Sequence, residues 1–214
     1  AGLFREMGAS VKKTKKTVTP GLHKGVDALV ISGPYKPFSK MEIKAIKGFI
    51  ENGGRLALFL HIAPPVANLL GALGVKGTGG VLYEKENVIG GMGQNFSVVK
   101  FENHPVTEGL DGFSVYGSWG LAPANEKVKT IARTGTAAWV DHNRDYIFSA
   151  GDPTGEFGII IAGKLGPGEF VVIGDDAVFQ NRFLNDGNLK FAKSLAAWLL
   201  KKDRNAVAYL IRAD

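Results

Sequence analysis

Few side chains in this sequence can do acid–base or nucleophilic chemistry. There is no cysteine, and the four histidines, His23, His61, His104 and His142, stand far apart. Without cysteine, thiolate nucleophiles, disulfides and thiolate metal sites are excluded. The histidines show neither His-x-x-x-His nor His-Glu-x-x-His spacing, so no zinc site is expected. Asp175-Asp176 is a generic oxygen-donor pair at most. Gly74-Val75-Lys76-Gly77-Thr78-Gly79-Gly80 is not a phosphate loop. It lacks the Gly-Lys-Ser/Thr ending and the helix whose N-terminus would hold the anion, and it reads as a flexible loop. No cofactor is expected. Asp141-His142-Asn143-Arg144-Asp145 reads as a polar hairpin loop, and His104-Pro105 as a rigid turn.

The candidates that remain follow strands. Val26–Ile31 is an apolar run of the kind buried on both faces of a parallel sheet, and it ends in Ser32-Gly33-Pro34. Ser39-Lys40-Met41-Glu42 is a capping box. It predicts a helix with Met41, Ile43, Ala45, Ile46, Phe49 and Ile50 mainly on one side, closed by Asn52-Gly53-Gly54. Arg55–Leu60 is the next buried strand, leading into His61, with a second helix expected over Val66–Leu73. Residues 157–163 and 169–174 form a hairpin across Leu165-Gly166-Pro167-Gly168, and its second arm ends in Asp175-Asp176. An amphipathic helix over Asn188–Leu200 and a strand over Val207–Ile211 close the chain. Residues 74–150 are glycine-dense with short strand-like pieces. They read as a β-rich insertion or antiparallel extension of one domain spanning 1–214.

Three segments carry a family resemblance: Asp27–Pro34, Phe38–Leu60 around Glu51-Asn52-Gly53-Gly54-Arg55-Leu56, and Val172–Asp176 with Asn181-Arg182-Phe183-Leu184. Together they resemble the class I glutamine-amidotransferase-like domains of uncharacterised prokaryotic proteins. That domain type is known from gliding-motility ABC-transporter auxiliary proteins and an intraflagellar-transport protein. His104–Leu110 is similar to a stretch of the related trehalose-utilisation-like group. The resemblance implies an α/β, flavodoxin-like three-layer sandwich with a mainly parallel central sheet and an antiparallel β extension. It also implies a cysteine on an elbow after the second strand. Here that elbow reads His61-Ile62-Ala63-Pro64-Pro65, and no histidine follows the late strand, so no catalytic residue carries over.

Ligands of open α/β sheets bind beyond the carboxyl ends of the strands. The candidate crevice is therefore Ser32, Gly33, Pro34, His61, Asp175, Asp176, Gln180 and Asn181. One reading makes it a site for a small polar ligand. The other makes Asp175 or Asp176 a cap for the next helical turn, Ser32 the closure of its own turn, and His61 a local hydrogen-bonding group.

The bulk properties admit several function classes. The chain has 214 residues, 45% apolar and 21% charged, as expected of a globular protein. No run of about 18 apolar residues can span a membrane, and the first residues do not read as a signal peptide. The net charge is +6, and residues 1–24 hold six bases (Arg5, Lys12, Lys13, Lys15, Lys16, Lys24) against Glu6. This patch suits either a polyanion contact or an edge strand blunted by lysines. The absence of aromatics within Lys12–Lys16 argues against nucleic acid. The leading expectation is a non-catalytic domain that binds a small polar ligand or a protein partner, as an accessory of a membrane-transport assembly. A second is a hydrolase using His61 with Asp175 or Asp176. A third is a homo-oligomeric scaffold or polyanion binder. The compartment stays open between the cytoplasm and membrane association through a longer chain.

Overall fold

The computed structural model describes residues 1–14, 18–21, 25–201 and 206–212. In chain order its elements are α1 (Gly2–Glu6), β1 (Ser10–Thr14), β2 (Ala28–Ser32), α2 (Lys40–Glu51), β3 (Arg55–Phe59), α3 (Ala67–Ala72), β4 (Val75–Tyr83), β5 (Val88–Ile89), β6 (Met92–Val98), β7 (Lys100–Phe101), β8 (Phe113–Tyr116), β9 (Trp119–Pro123), β10 (Val128–Arg133), β11 (Trp139–Asp141), β12 (Gly158–Leu165), β13 (Gly168–Ile173), α4 (Asp186–Leu199) and β14 (Val207–Arg212). Ser39 and Glu42 form the reciprocal capping box that starts α2. Asn185 caps α4 by accepting the N–H of Asn188.

One sheet of 11 strands dominates the described residues, with the path β1-β14-β2-β3-β13-β12-β9-β4-β11, and β10 and β7 joined alongside β12. Strands β1, β14, β2, β3 and β13 run parallel as one block. From β13 onward every pairing is antiparallel. A second sheet, β5-β6-β8, has three strands. Alternate residues of the central strands enter two cores. Leu29, Ile31, Leu56, Leu58, Phe170 and Val172 pack with Ile46, Phe49 and Ile50 of α2 and Leu69 and Leu70 of α3. Ala28, Ala57, Phe59, Val171 and Ile173 pack with Phe191, Leu195 and Trp198 of α4 and with the small sheet. Burial on both faces explains the unbroken apolar runs.

The expected flavodoxin-like sandwich with a mainly parallel sheet is overturned. The molecule is sheet-rich, and its main sheet is a mixed one in which the antiparallel strands are as central as the parallel ones. The expected hairpin of β12 and β13 is present, but residues 74–150 are no peripheral extension: they supply β4, β7, β9, β10 and β11 of the main sheet itself. The expected glycine-rich loop at 74–80 is also corrected, because after Gly74 those residues open β4. A register shift separates Gly77 from Val81 there, and a Cβ at Gly80 would run into the carbonyl of Asp141. Glycine at this irregularity permits close approach of the neighbouring strand. Among the described residues, no helix is long and apolar enough to cross a membrane.

Candidate functional site

The parallel register brings three strand ends together. Ser32 lies opposite Phe59, and Phe59 opposite Ile173. Gly33 donates its N–H to the Phe59 carbonyl, and Leu60 donates to that of Ile173. The loops after β2, β3 and β13 therefore leave the sheet side by side. Asn188 anchors the third loop from α4. It is fully buried, accepts the Ser114 N–H and donates to the carbonyls of Ser114, Val178 and Phe183.

His61 Nδ1 meets Asp176 Oδ1 at 3.0 Å. The second carboxylate oxygen, Oδ2, lies beneath Gly33, where a Cβ would come within 2.5 Å of it. Gly33 has φ +60, a conformation that disfavours side chains, so this position favours glycine twice over. Tyr35 presents its ring edgewise to His61 at 4.9 Å between centroids. Pro34 is buried. Asp175 turns inward instead. Its carboxylate accepts the N–H of Tyr116 at 2.6 Å and of Ala177 at 2.7 Å. Burial pushes the Asp175 carboxyl up to about 7; the two amides and His61 oppose that rise, and the Asp176 charge reinforces it.

Of the expected crevice, Ser32, Asp176, Gln180 and Asn181 line a cavity of about 580 Å³. Gln180 and Asn181 lie at its exposed side. Sequence patterns did not reveal the apolar wall, which comes from Leu3 and Phe4 of α1, Phe59, Phe179, Leu189 of α4 and Leu210 of β14. They come from five elements or turns far apart in sequence. No local pattern says that a void separates α1 from α4. Tyr35 was missed as well, since a lone exposed tyrosine has no periodic signal.

The dyad geometry is chemically specific. A carboxylate on Nδ1 selects the tautomer whose Nε2 is an acceptor and a base. Among the described residues, no group of three His, Cys, Asp or Glu side chains is placed to hold a metal. His104 packs at a tilt against Trp198 and its Nδ1 accepts the N–H of Val106, while burial pushes its pKa down. His142 Nε2 contacts the Thr78 carbonyl. His23, Lys15, Lys16 and Lys24 lie outside the described residues. Of the lysine patch, Lys12 and Lys13 sit on β1, an edge strand. The 141–145 segment is a loop closed by its own carboxylates. Asp141 accepts the N–H of Arg144 and of Tyr146, and Asp145 that of Ile147.

Comparison with known proteins identifies the family. Residues 1–200 match the family described as Domain of unknown function (DUF4350), and the chain belongs to it. No curated protein matches the chain. Among solved structures, the mmIFT52 N-terminal domain superposes with a TM-score of 0.69 at 17% identity, covering 87% of this chain and 82% of that one. A putative ThuA-like protein from Bacteroides uniformis ATCC 8492 gives 0.54 at 17% identity, covering 89% and 76%. Cytoplasmic Protein STM3548 from Salmonella typhimurium gives 0.55 at 10% identity, covering 92% and 84%. At these identities the likeness is one of fold. The resemblance to glutamine-amidotransferase-like domains is thereby corrected. The family is DUF4350 and the shared architecture is sheet-rich, so an amidotransferase scaffold and the transport-accessory role drawn from it lose their basis. The quoted segments are buried strands, a covering helix and the turns after them, which recur wherever parallel strands are covered by helices.

Proposed function

We propose that this member of the DUF4350 family is a small-molecule-binding domain without covalent chemistry of its own, and that its ligand occupies the crevice at the carboxyl edge of the parallel strands. The observation that carries this reading is the cavity of about 580 Å³, whose wall is largely apolar and which Ser32, Asp176, Gln180 and Asn181 also line. That is the usual make-up of a small-molecule site. The position beyond the parallel strand ends supports it further. A thermal-shift screen of small metabolites tests it. A true ligand raises the Tm with its concentration. The shift should vanish in Ala192→Trp, which fills the cavity from α4. If every compound that binds the wild type binds Ala192→Trp equally, the reading fails.

A second reading is favoured by the 3.0 Å contact between His61 and Asp176. With Nδ1–H held by the carboxylate, Nε2 can take a proton from a water or hydroxyl beside it. Turnover of amide or ester substrates by the purified protein, lost in His61→Ala, would establish a hydrolase in place of a binder.

A further inference from the structure

We infer that the ligand of this cavity is a cationic amphiphile, with a protonated nitrogen against the Asp176 carboxylate and an aliphatic or aryl body between α1 and α4. The inference rests on the binding reading above and specifies its chemistry. The Asp176 side chain is 18% exposed, so its charge is partly withdrawn from water. His61 engages Oδ1. Oδ2 has no protein N–H or O–H donor among the described residues. A carboxylate in that position gains from a donor that brings positive charge.

The other charges near the cavity point the same way. Asp175 lies directly behind Asp176 and adds negative potential when ionised. Lys193 and Glu6 also line the cavity, both exposed and of opposite sign, so water and salt screen them. An anionic head would meet the less hydrated carboxylate. A neutral head would leave Oδ2 without a charged donor. The body is equally constrained. Phe59, Phe179, Leu189, Leu195 and Leu199 offer contact surface and no hydrogen-bonding groups.

Three probes of one chain length separate the choices: n-octylamine, n-octanol and octanoate, titrated into the protein and followed by amide NMR and calorimetry. The expected result is octylamine binding about tenfold or more tighter than octanol, as one charge-assisted hydrogen bond provides. Octanoate should be weakest. Asp176→Asn keeps the shape and can still accept from His61, and it should erase the preference for the amine while leaving octanol binding unchanged. If octanol or octanoate binds as well as octylamine at the residues lining the cavity, the cationic assignment is overturned and the binding reading stands. If none of the three perturbs those residues and Ala192→Trp alters nothing, the binding reading falls with it.

Discussion

Asp141 and Asp176 both sit where a strand of the main sheet ends, and their carboxylates do different things. Asp141 is 3% exposed, and its two oxygens take the N–H groups of Arg144 and Tyr146. Those residues have φ +63 and +65, so two side-chain-bearing positions are held left-handed. Asp152 acts likewise on His142 and Ser149. In that loop the carboxylates are consumed by backbone. At Asp176 one oxygen meets a half-exposed imidazole, the other lies beneath Gly33, and the residue lines a cavity. Asp175, its neighbour in sequence, belongs with Asp141: it is buried and bonded to two amides. Acids adjacent in sequence can thus fall on opposite sides of the division between holding the fold and meeting a ligand. What sorts them is whether the backbone already uses their lone pairs.

This division can be tested by substitution, beginning with the largest effect. Asp141→Ala leaves two amides without acceptors and removes the support for two left-handed residues. It should cost about 2–4 kcal/mol of stability by denaturant titration. A cost below about 1 kcal/mol would put Asp141 outside the structural class.

The next effect is a pH dependence. The Asp175 carboxyl stands at about 7 in the folded chain, against roughly 3.9 unfolded. The folded state holds the proton more tightly, so its stabilising effect is complete below about pH 4 and is lost as pH rises through 7. Stability of the wild type should therefore fall from pH 5 to 8, by a few kcal/mol at most, relative to Asp175→Asn. The difference between the two proteins is the quantity to measure. His104, whose pKa is pushed down, contributes the opposite slope equally to both. Identical pH profiles would contradict the buried, proton-holding role of Asp175.

Gly33→Ala comes third. It places a methyl group 2.5 Å from Asp176 Oδ2 on a backbone of φ +60. The expected cost is about 1–2 kcal/mol, together with a changed His61 ring spectrum as Asp176 is displaced. An unchanged imidazole signal would separate Gly33 from the crevice. The smallest effect belongs to the crevice pair itself. The His61 side chain is 42% exposed, so His61→Ala should shift stability by under about 1 kcal/mol. A larger loss would make the pair structural and blur the contrast with Asp141.

Much of the site's address was legible in the residues. The turns after two apolar runs and the Asp175-Asp176 pair pointed to one sheet edge, and Ser32, Gly33, His61 and Asp176 do meet there. Their roles were not legible. Nothing in the dipeptide tells Asp175, facing inward, from Asp176, facing out, because that depends on the amide of Tyr116, 59 positions away. The cavity was invisible for a related reason. Leu3, Leu189 and Leu210 come from three elements far apart in sequence, and only the placing of α1, α4 and β14 brings them to one cavity. The make-up of the main sheet was not legible either, because the glycine-dense 74–150 region supplies β4, β7, β9, β10 and β11 to it through pairings distant in sequence.

The amino-acid sequence by itself settled the local matters: the capping box of α2, the apolar strands, and the absence of cysteine chemistry. Each depends on neighbours within a few positions or on composition alone. Tertiary structure decided the mixed sheet, the cavity beside α4, and which of two adjacent carboxylates the backbone amides occupy. Those depend on non-local pairings, and two runs of equal hydrophobicity fit a parallel or an antiparallel partner until the rest of the chain has taken its place.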